Sequence, residues 1–272
     1  MKSEAGGGKG KSVGRAGEDP FGVHTVSNPQ LPMSDHRTSS ALVTGANRGL
    51  GLEWIRQLAD SVDRLFATCR RPDDADALRE LAASPPGTIE VLALDVAEPA
   101  SIDDAAARVR RAVDALDLLV NNAGVSGGGT ADGFETVDAD TMTDVYRVNA
   151  VGPHLTTRAF APLLRASPEG ATVVNVTSQL GSIARTSGGG WHSYRASKAA
   201  LNMCTRLQAA ELEADGVIVV AMHPGWVRTD MGGSSARLSP EESVAGMLDV
   251  VGDLSPGDAG RFLAYDGEEL PW

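Results

Sequence analysis

Thr44-Gly45-Ala46-Asn47-Arg48-Gly49-Leu50-Gly51 is the stretch from which the fold is read. The apolar run Ala41-Leu42-Val43 precedes it, and a helical pattern over 50–60 follows. Glycines in such a turn permit a tight reversal. They also let a pyrophosphate approach the N-terminus of the next helix. The spacing is GxxxGxG rather than GxGxxG, and a Gly-rich loop by itself is often just a turn. Its position between the first strand and the first helix is what makes it informative.

Outward from this loop, short apolar runs alternate with helical patterns. The runs predict strands over 41–44, 65–69, 89–94, 116–121, 172–177, 217–222 and 261–264. The helical patterns cover 50–60, 74–83, 101–114, 139–165, 194–214 and 241–252. Short buried strands separated by helices mean βαβ units and a parallel sheet covered on both faces. Right-handed crossovers then favour an α/β, doubly wound Rossmann fold with seven parallel strands. Residues 39–272 are expected to form one domain, with no second domain and no internal repeat. Residues 1–38 are rich in Gly, Ser, Lys and Pro without a strand or helix period, and are expected to be a disordered tail. Met33 is an alternative start.

The chain has 272 residues, a formal net charge of −12 and a pI near 4.8. An acidic balance argues against a nucleic-acid binder or a protein drawn to an acidic membrane surface. Cys69 and Cys204 make no disulfide framework, so a reducing, cytoplasmic location is expected. There is no apolar signal region, and no apolar run reaches the ~20 residues of a membrane span. Scarce lysine beside abundant Ala, Arg and Asp suggests a GC-rich genome or a salt-adapted host, and both stay open.

The chemical signal is Tyr194-Arg195-Ala196-Ser197-Lys198. Residues four apart on a helix share a face, one turn apart. A tyrosine titrates near ~10, so exchanging protons near neutrality needs about 4 kcal/mol in favour of the phenolate, part of which an ammonium can supply. Most YxxxK pairs are coincidence. Here the only lysines are Lys2, Lys9, Lys11 and Lys198, so from residue 39 onward arginine serves wherever a generic cation will do. A lone lysine at this spacing implies that a compact point charge is required.

Taken together, Thr44 to Gly51, Asn121-Asn122-Ala123-Gly124, Ser178, Tyr194xxxLys198 and Pro224-Gly225 resemble the classical short-chain dehydrogenase/reductase family, over nearly all of residues 40–272. The finer text, TGANRGLGLE and HPGWVRTDMGG with a C-terminal ELPW, is similar to its C-factor/Sniffer-like carbonyl reductase branch. The resemblance implies an oxidoreductase moving a hydride between NADP(H) and a carbonyl or secondary alcohol. Tyr194 would be its general acid and base. Lys198 would lower the pKa of Tyr194 and hold the nicotinamide ribose. Ser178 would bind the substrate oxygen, and Asn149 would reach Lys198 through a water. The long interval from Ser178 to Tyr194 leaves Ser182 as an alternative hydroxyl. Ser178 is preferred because it directly follows the strand over 172–177.

The same resemblance assigns cofactor contacts to Gly45, Asn47, Arg48, Gly49, Leu50 and Gly51 in the loop. Further on it assigns Asp95 and Val96 to the adenine, Asn122, Ala123 and Gly124 to bracing and lining the channel, and Pro224, Gly225, Val227 and Thr229 to the nicotinamide end. Asp95 could equally be a strand-end turn cap. The strand over 65–69 ends without an acid and is followed by Arg70 and Arg71. A carboxylate there would hydrogen-bond a ribose 2′-hydroxyl, whereas arginines suit a 2′-phosphate. Hence NADP(H) is expected over NAD(H), with Arg70 and Arg48 reading the phosphate. Alternatively, Arg70 and Arg71 are surface charges balanced by Asp73 and Asp74.

Residues 226–239 read as a substrate lid, and 125–137 would shape the pocket. His24, His36, His154, His192 and His223 show no metal-ligand spacing, so no metal is expected. The formal sequon at Asn175 lies in an expected buried strand. Small apolar residues such as Ala199, Ala200, Met203 and Ala210 suggest a homodimer. A non-catalytic NADP(H) sensor on the same fold is the competing function; such a protein would be free to lose Tyr194, Lys198 or Ser178, and none is lost.

Overall fold

The computed structural model describes residues 39–84 and 89–272. The expected tail over 1–38, with Met33 as a start, lies outside the described residues. The strands are β1 (Ser40–Thr44), β2 (Arg64–Cys69), β3 (Ile89–Ala93), β4 (Leu118–Asn121), β5 (Ala171–Val176), β6 (Val217–His223) and β7 (Phe262–Ala264). The α-helices are α1 (Gly49–Leu58), α2 (Asp76–Ala82), α3 (Pro99–Val109), α4 (Ala139–Tyr146), α5 (Gly152–Arg165), α6 (His192–Leu212) and α7 (Pro240–Asp253). All seven strands pair in parallel in the order β3-β2-β1-β4-β5-β6-β7. This is the doubly wound Rossmann arrangement that the alternation of runs implies.

The strand sequences explain the two cores. Successive side chains leave a strand on opposite faces. Ala41 and Val43 of β1, with Leu65 and Ala67 of β2, meet Trp54, Ile55 and Leu58 of α1 and Val244 and Met247 of α7. Leu42 and Phe66 turn the other way, into a core with Phe160 and Leu164 of α5, Val109 of α3 and Leu212 of α6. Because both faces are covered, these strands are apolar at every position rather than alternating.

Three expected helices differ in detail, the first being that over 101–114, which is α3 and already ends at Val109. The helix expected over 74–83 begins as a 3₁₀ turn at Pro72–Asp74 and continues only as α2. The helix expected over 139–165 is interrupted by a π-helical turn, Arg147–Val151, between α4 and α5. A π turn inserts one residue into the helical period and turns a side chain to a different face. Here that insertion carries Asn149, fully buried.

Candidate active site

Strand order reverses between β1 and β4, and ligands of open α/β sheets bind beyond the strand ends at such a point. The loops leaving β1 and β4 are tied together there. Thr44 Oγ1 accepts from the N–H groups of Asn122 and Ala123 at 3.0 and 3.1 Å. Asn122 Nδ2 donates to the carbonyls of Thr44 and Gly45 at 2.9 and 3.3 Å. Position 51 must be glycine, since a Cβ there would overlap the Gly45 carbonyl and the Asn122 amide. The N-terminus of α1 thereby reaches the crevice with no side chain capping it and no acid in its first turn. Helix α7, by contrast, opens with a complete Ser239/Glu242 capping box. An uncapped helix N-terminus under a glycine turn fits a pyrophosphate.

The other expected cofactor residues divide. Thr229 lies against Gly49, and its hydroxyl accepts from the Gly232 N–H at 3.2 Å. Val227 is buried and bridges to Leu238, which closes the base of the 226–239 loop. Pro224 is anchored through its carbonyl to Ser243 Oγ at 2.6 Å. Asp95 does act as a turn cap, its Oδ1 accepting from the Ala97 N–H at 3.0 Å. The Val96 side chain packs into the cluster of Leu94, Ile102 and Ala105 and is not a lining group. Arg71 pairs with Asp74 at 3.2 Å, as the surface-charge alternative has it, whereas exposed Arg70 has no ion-pair partner among the described residues. Arg48 reaches across to Asp230 at 2.7 Å.

At the other side of the crevice the sheet ends on Ser178 and the first turns of α6. Ser178 follows β5 and opens a 3₁₀ turn by accepting from the Leu180 N–H at 3.1 Å. Its side chain is near that of Tyr194 and acts to favour the phenolate. Ser182 is committed elsewhere: it donates to the Pro271 carbonyl at 2.6 Å and accepts from the Arg185 N–H at 3.1 Å. Geometry therefore separates the two serines. Lys198 lies with Tyr194 on one face of α6, its Nζ 5.8 Å from the phenol ring centroid, and it donates to the Val176 carbonyl at 2.8 Å. Asn149 and Lys198 converge on Gly124, where a Cβ would stand 3.3 Å from Asn149 Oδ1 and 3.7 Å from Lys198 Nζ. Asn149 is fixed by two bonds to the Val125 backbone, each 2.8 Å, and by one to Ser197 Oγ at 3.0 Å.

The expected lowering of the Tyr194 pKa is not found in this geometry. Burial disfavours the phenolate and pushes the group up to about 12, with the nearby Ser178 side chain opposing. Tyr194 is thus a neutral phenol at pH 7, which is the form that donates a proton. Burial has the opposite sign for a cation and brings Lys198 down to about 8, so the ammonium is still mostly protonated at neutrality.

That burial has a cost in stability. With the folded value near 8 and the ordinary value at 10.5, the charged lysine destabilises the fold by roughly 3 kcal/mol at pH 7. The penalty is complete below the folded value and vanishes above the unfolded one, where both states have lost the proton. Lys198→Met leaves the Val176 carbonyl unpaired, which returns about 1 kcal/mol. The expected net result is a melting temperature roughly 5 °C higher at pH 7. That gain shrinks steadily as the pH is raised toward 10.5. Thermal melts of both proteins across this range check it; a lower melting temperature for the variant at pH 7 would refute it.

Three further groups were not legible in the sequence. Ser197 links Asn149 to the Tyr194 carbonyl. Trp191 sets its ring edge-on to Tyr194, with centroids 5.8 Å apart. Asp132 accepts from the Ser193 N–H at 2.7 Å. Only the position of Ser197, one residue before the lysine, could have drawn attention to it.

Proton chemistry at one end of the crevice and an anion cradle at the other place the protein among the Rossmann-fold oxidoreductases. It belongs to the short-chain dehydrogenase/reductase family: the family model for short chain dehydrogenase matches residues 39–238. Over 159 residues the chain is 47% identical to C-signal of Myxococcus xanthus, covering 58% of this chain and 93% of that protein. It superposes on an NADPH-bound carbonyl reductase from chicken fatty liver with a TM-score of 0.82 and 39% identity, covering 87% of this chain and all of that one. Carbonyl reductase Sniffer of D. melanogaster gives a TM-score of 0.83 at 33% identity, with the same coverages. These likenesses support the carbonyl reductase-like branch. Among the described residues, no helix is long and apolar enough to cross a membrane.

Proposed function

We propose that this chain is an NADP(H)-dependent reductase of carbonyl compounds, running also as the dehydrogenase of the matching secondary alcohols. The observation that carries it is the buried Tyr194 near Ser178, with the Lys198 ammonium on the same helix face. NADP(H) supplies or accepts the hydride when bound. Its pyrophosphate would be held at the N-terminus of α1 by Gly45, Asn47, Gly49, Leu50 and Gly51. Arg70 and Arg48 would bind the 2′-phosphate, and Pro224, Gly225, Val227 and Thr229 would hold the nicotinamide end. The Asn122-Ala123-Gly124 turn would line the channel, and Asp95 with the Val96 backbone would bound the adenine. The NADPH named with the chicken enzyme supports this reading.

Ser178 donates to the substrate oxygen and orients it. Tyr194 gives its proton to that oxygen as negative charge develops, and takes it back in the oxidation direction. Lys198 favours the phenolate left behind and holds the ribose. Asn149 keeps the 124–125 turn and Ser197 in register with it. A panel of aldehydes and ketones, followed by NADPH absorbance, tests the assignment; no turnover on any of them would remove it. The non-catalytic sensor remains the second reading, prompted by the name of the Myxococcus relative. The complete Tyr194, Lys198, Ser178 and Asn149 set weighs against it, since binding alone does not need a proton donor.

An apolar surface supports a two-fold assembly. Met142 and Tyr146 on α4, and Met203 and Leu207 on α6, are 42%, 46%, 61% and 53% exposed, and the two helices pack side by side. A two-fold dimer needs only one such self-complementary patch. The expected result is a homodimer in light scattering that Leu207→Asp dissociates. A monomer at every concentration would refute it.

A further inference from the structure

The start of α6 is capped from outside its own neighbourhood. Its N-cap residue is Trp191, held at φ 58° with no side-chain cap, and an indole has no acceptor to offer. Asp132 does the work instead, from 61 positions away in sequence. Its Oδ2 accepts from the Ser193 N–H at 2.7 Å, and its own carbonyl accepts from the His192 N–H at 3.1 Å. Two of the first helical N–H groups are thus satisfied by one residue of another segment. Asp132 is 3% exposed, and its Oδ1 is buried without a partner, as is Ser193 Oγ. A carboxylate so enclosed is costly to bury, so its retention needs a reason. Beside it the Trp191 ring lies over Gly129 on one side and edge-on to Tyr194 on the other. The 3₁₀ turn Gly129–Ala131, Asp132 and the start of α6 therefore form one bonded unit that reaches Ser193, the residue directly before Tyr194.

We propose that Asp132 is a positioning residue for the reaction, acting through Tyr194: it clamps the start of α6 and thereby fixes where the phenol stands. This inference rests on Tyr194 being the proton donor. Rate falls steeply when a donor is displaced, whereas the pyrophosphate end of the cofactor site, on the α1 side of the crevice, is left alone.

The test compares Asp132→Ala, Asp132→Asn, Tyr194→Phe and the Tyr194→Phe/Asp132→Ala double variant, with para-nitrobenzaldehyde as probe. Turnover is expressed per NADPH-binding site, so loss of folded protein does not count. Asp132→Ala is expected to lower kcat roughly fivefold, the scale of a lost helix cap, with the Kd for NADPH unchanged. Asp132→Asn keeps an acceptor for the Ser193 N–H and should recover most of kcat. In the Tyr194→Phe background, Asp132→Ala should leave the residual rate nearly unchanged, because residues acting as a unit are not additive. Wild-type kcat in Asp132→Ala, no recovery in Asp132→Asn, or the same proportional loss in both backgrounds would each overturn the inference while leaving the proton-donor reading intact. Wild-type turnover in Tyr194→Phe would overturn both.

Discussion

Tyr194→Phe lowers carbonyl reduction at least ~10²-fold, the usual scale for general acid catalysis, with NADPH still bound. The phenylalanine ring keeps the edge-on contact with Trp191 and the fill beside Lys198. What goes is the hydroxyl that burial keeps protonated. Loss of a transition-state interaction alone lowers kcat and kcat/KM together, so the substrate KM should move little. Lys198→Arg should also be severely impaired. The Lys198 Nζ is buried, bonded to the Val176 carbonyl and close to Gly124, and a planar fork does not reproduce the point charge there. Near-wild-type turnover in Tyr194→Phe would remove the mechanism assigned here.

Wild-type enzyme should prefer NADPH over NADH by at least ~10-fold in kcat/KM, about 1.4 kcal/mol. Strand β2 ends on Cys69 without a carboxylate, and Arg70 follows it, exposed and without an ion-pair partner among the described residues. Arg71 is already paired with Asp74, so it contributes less. Arg48 is paired with Asp230, but the two side chains are 70% and 80% exposed. Exposed pairs of this kind are worth no more than about 1 kcal/mol, so a phosphate can compete for the guanidinium. Arg70→Asp should erase most of the preference by weakening NADPH, with little gain for NADH. Equal use of both nucleotides by the wild type, with neither KM changed in Arg48→Ala or Arg70→Asp, would show that these arginines do not read the phosphate.

What the sequence by itself determined is what repeats locally. Apolar runs such as Leu65-Phe66-Ala67 reveal strands buried on both faces, and their alternation with helical patterns implies a parallel sheet. The glycine turn points to the uncapped N-terminus of α1, and the four-residue spacing of Tyr194 and Lys198 places them on one helix face. Each of these signals is carried by residues within a turn or two of one another, where backbone geometry leaves few options.

The tertiary structure decided the rest. A periodic pattern over 139–165 cannot show that one inserted residue turns Asn149 inward, because the apolar positions on either side still look helical. The choice between Ser178 and Ser182 depends on where the chain's last residues lie, since the Pro271 carbonyl engages the second serine. The direction of the Tyr194 shift depends on burial, which the spacing from Lys198 does not reveal. Asp132 and Ser193 are related by no local period, and only packing of the loop after β4 onto α6 brings the carboxylate to the helix end. Hydrogen bonding and desolvation act over a few ångströms in space whatever the separation along the chain, so these features exist only once the fold has closed.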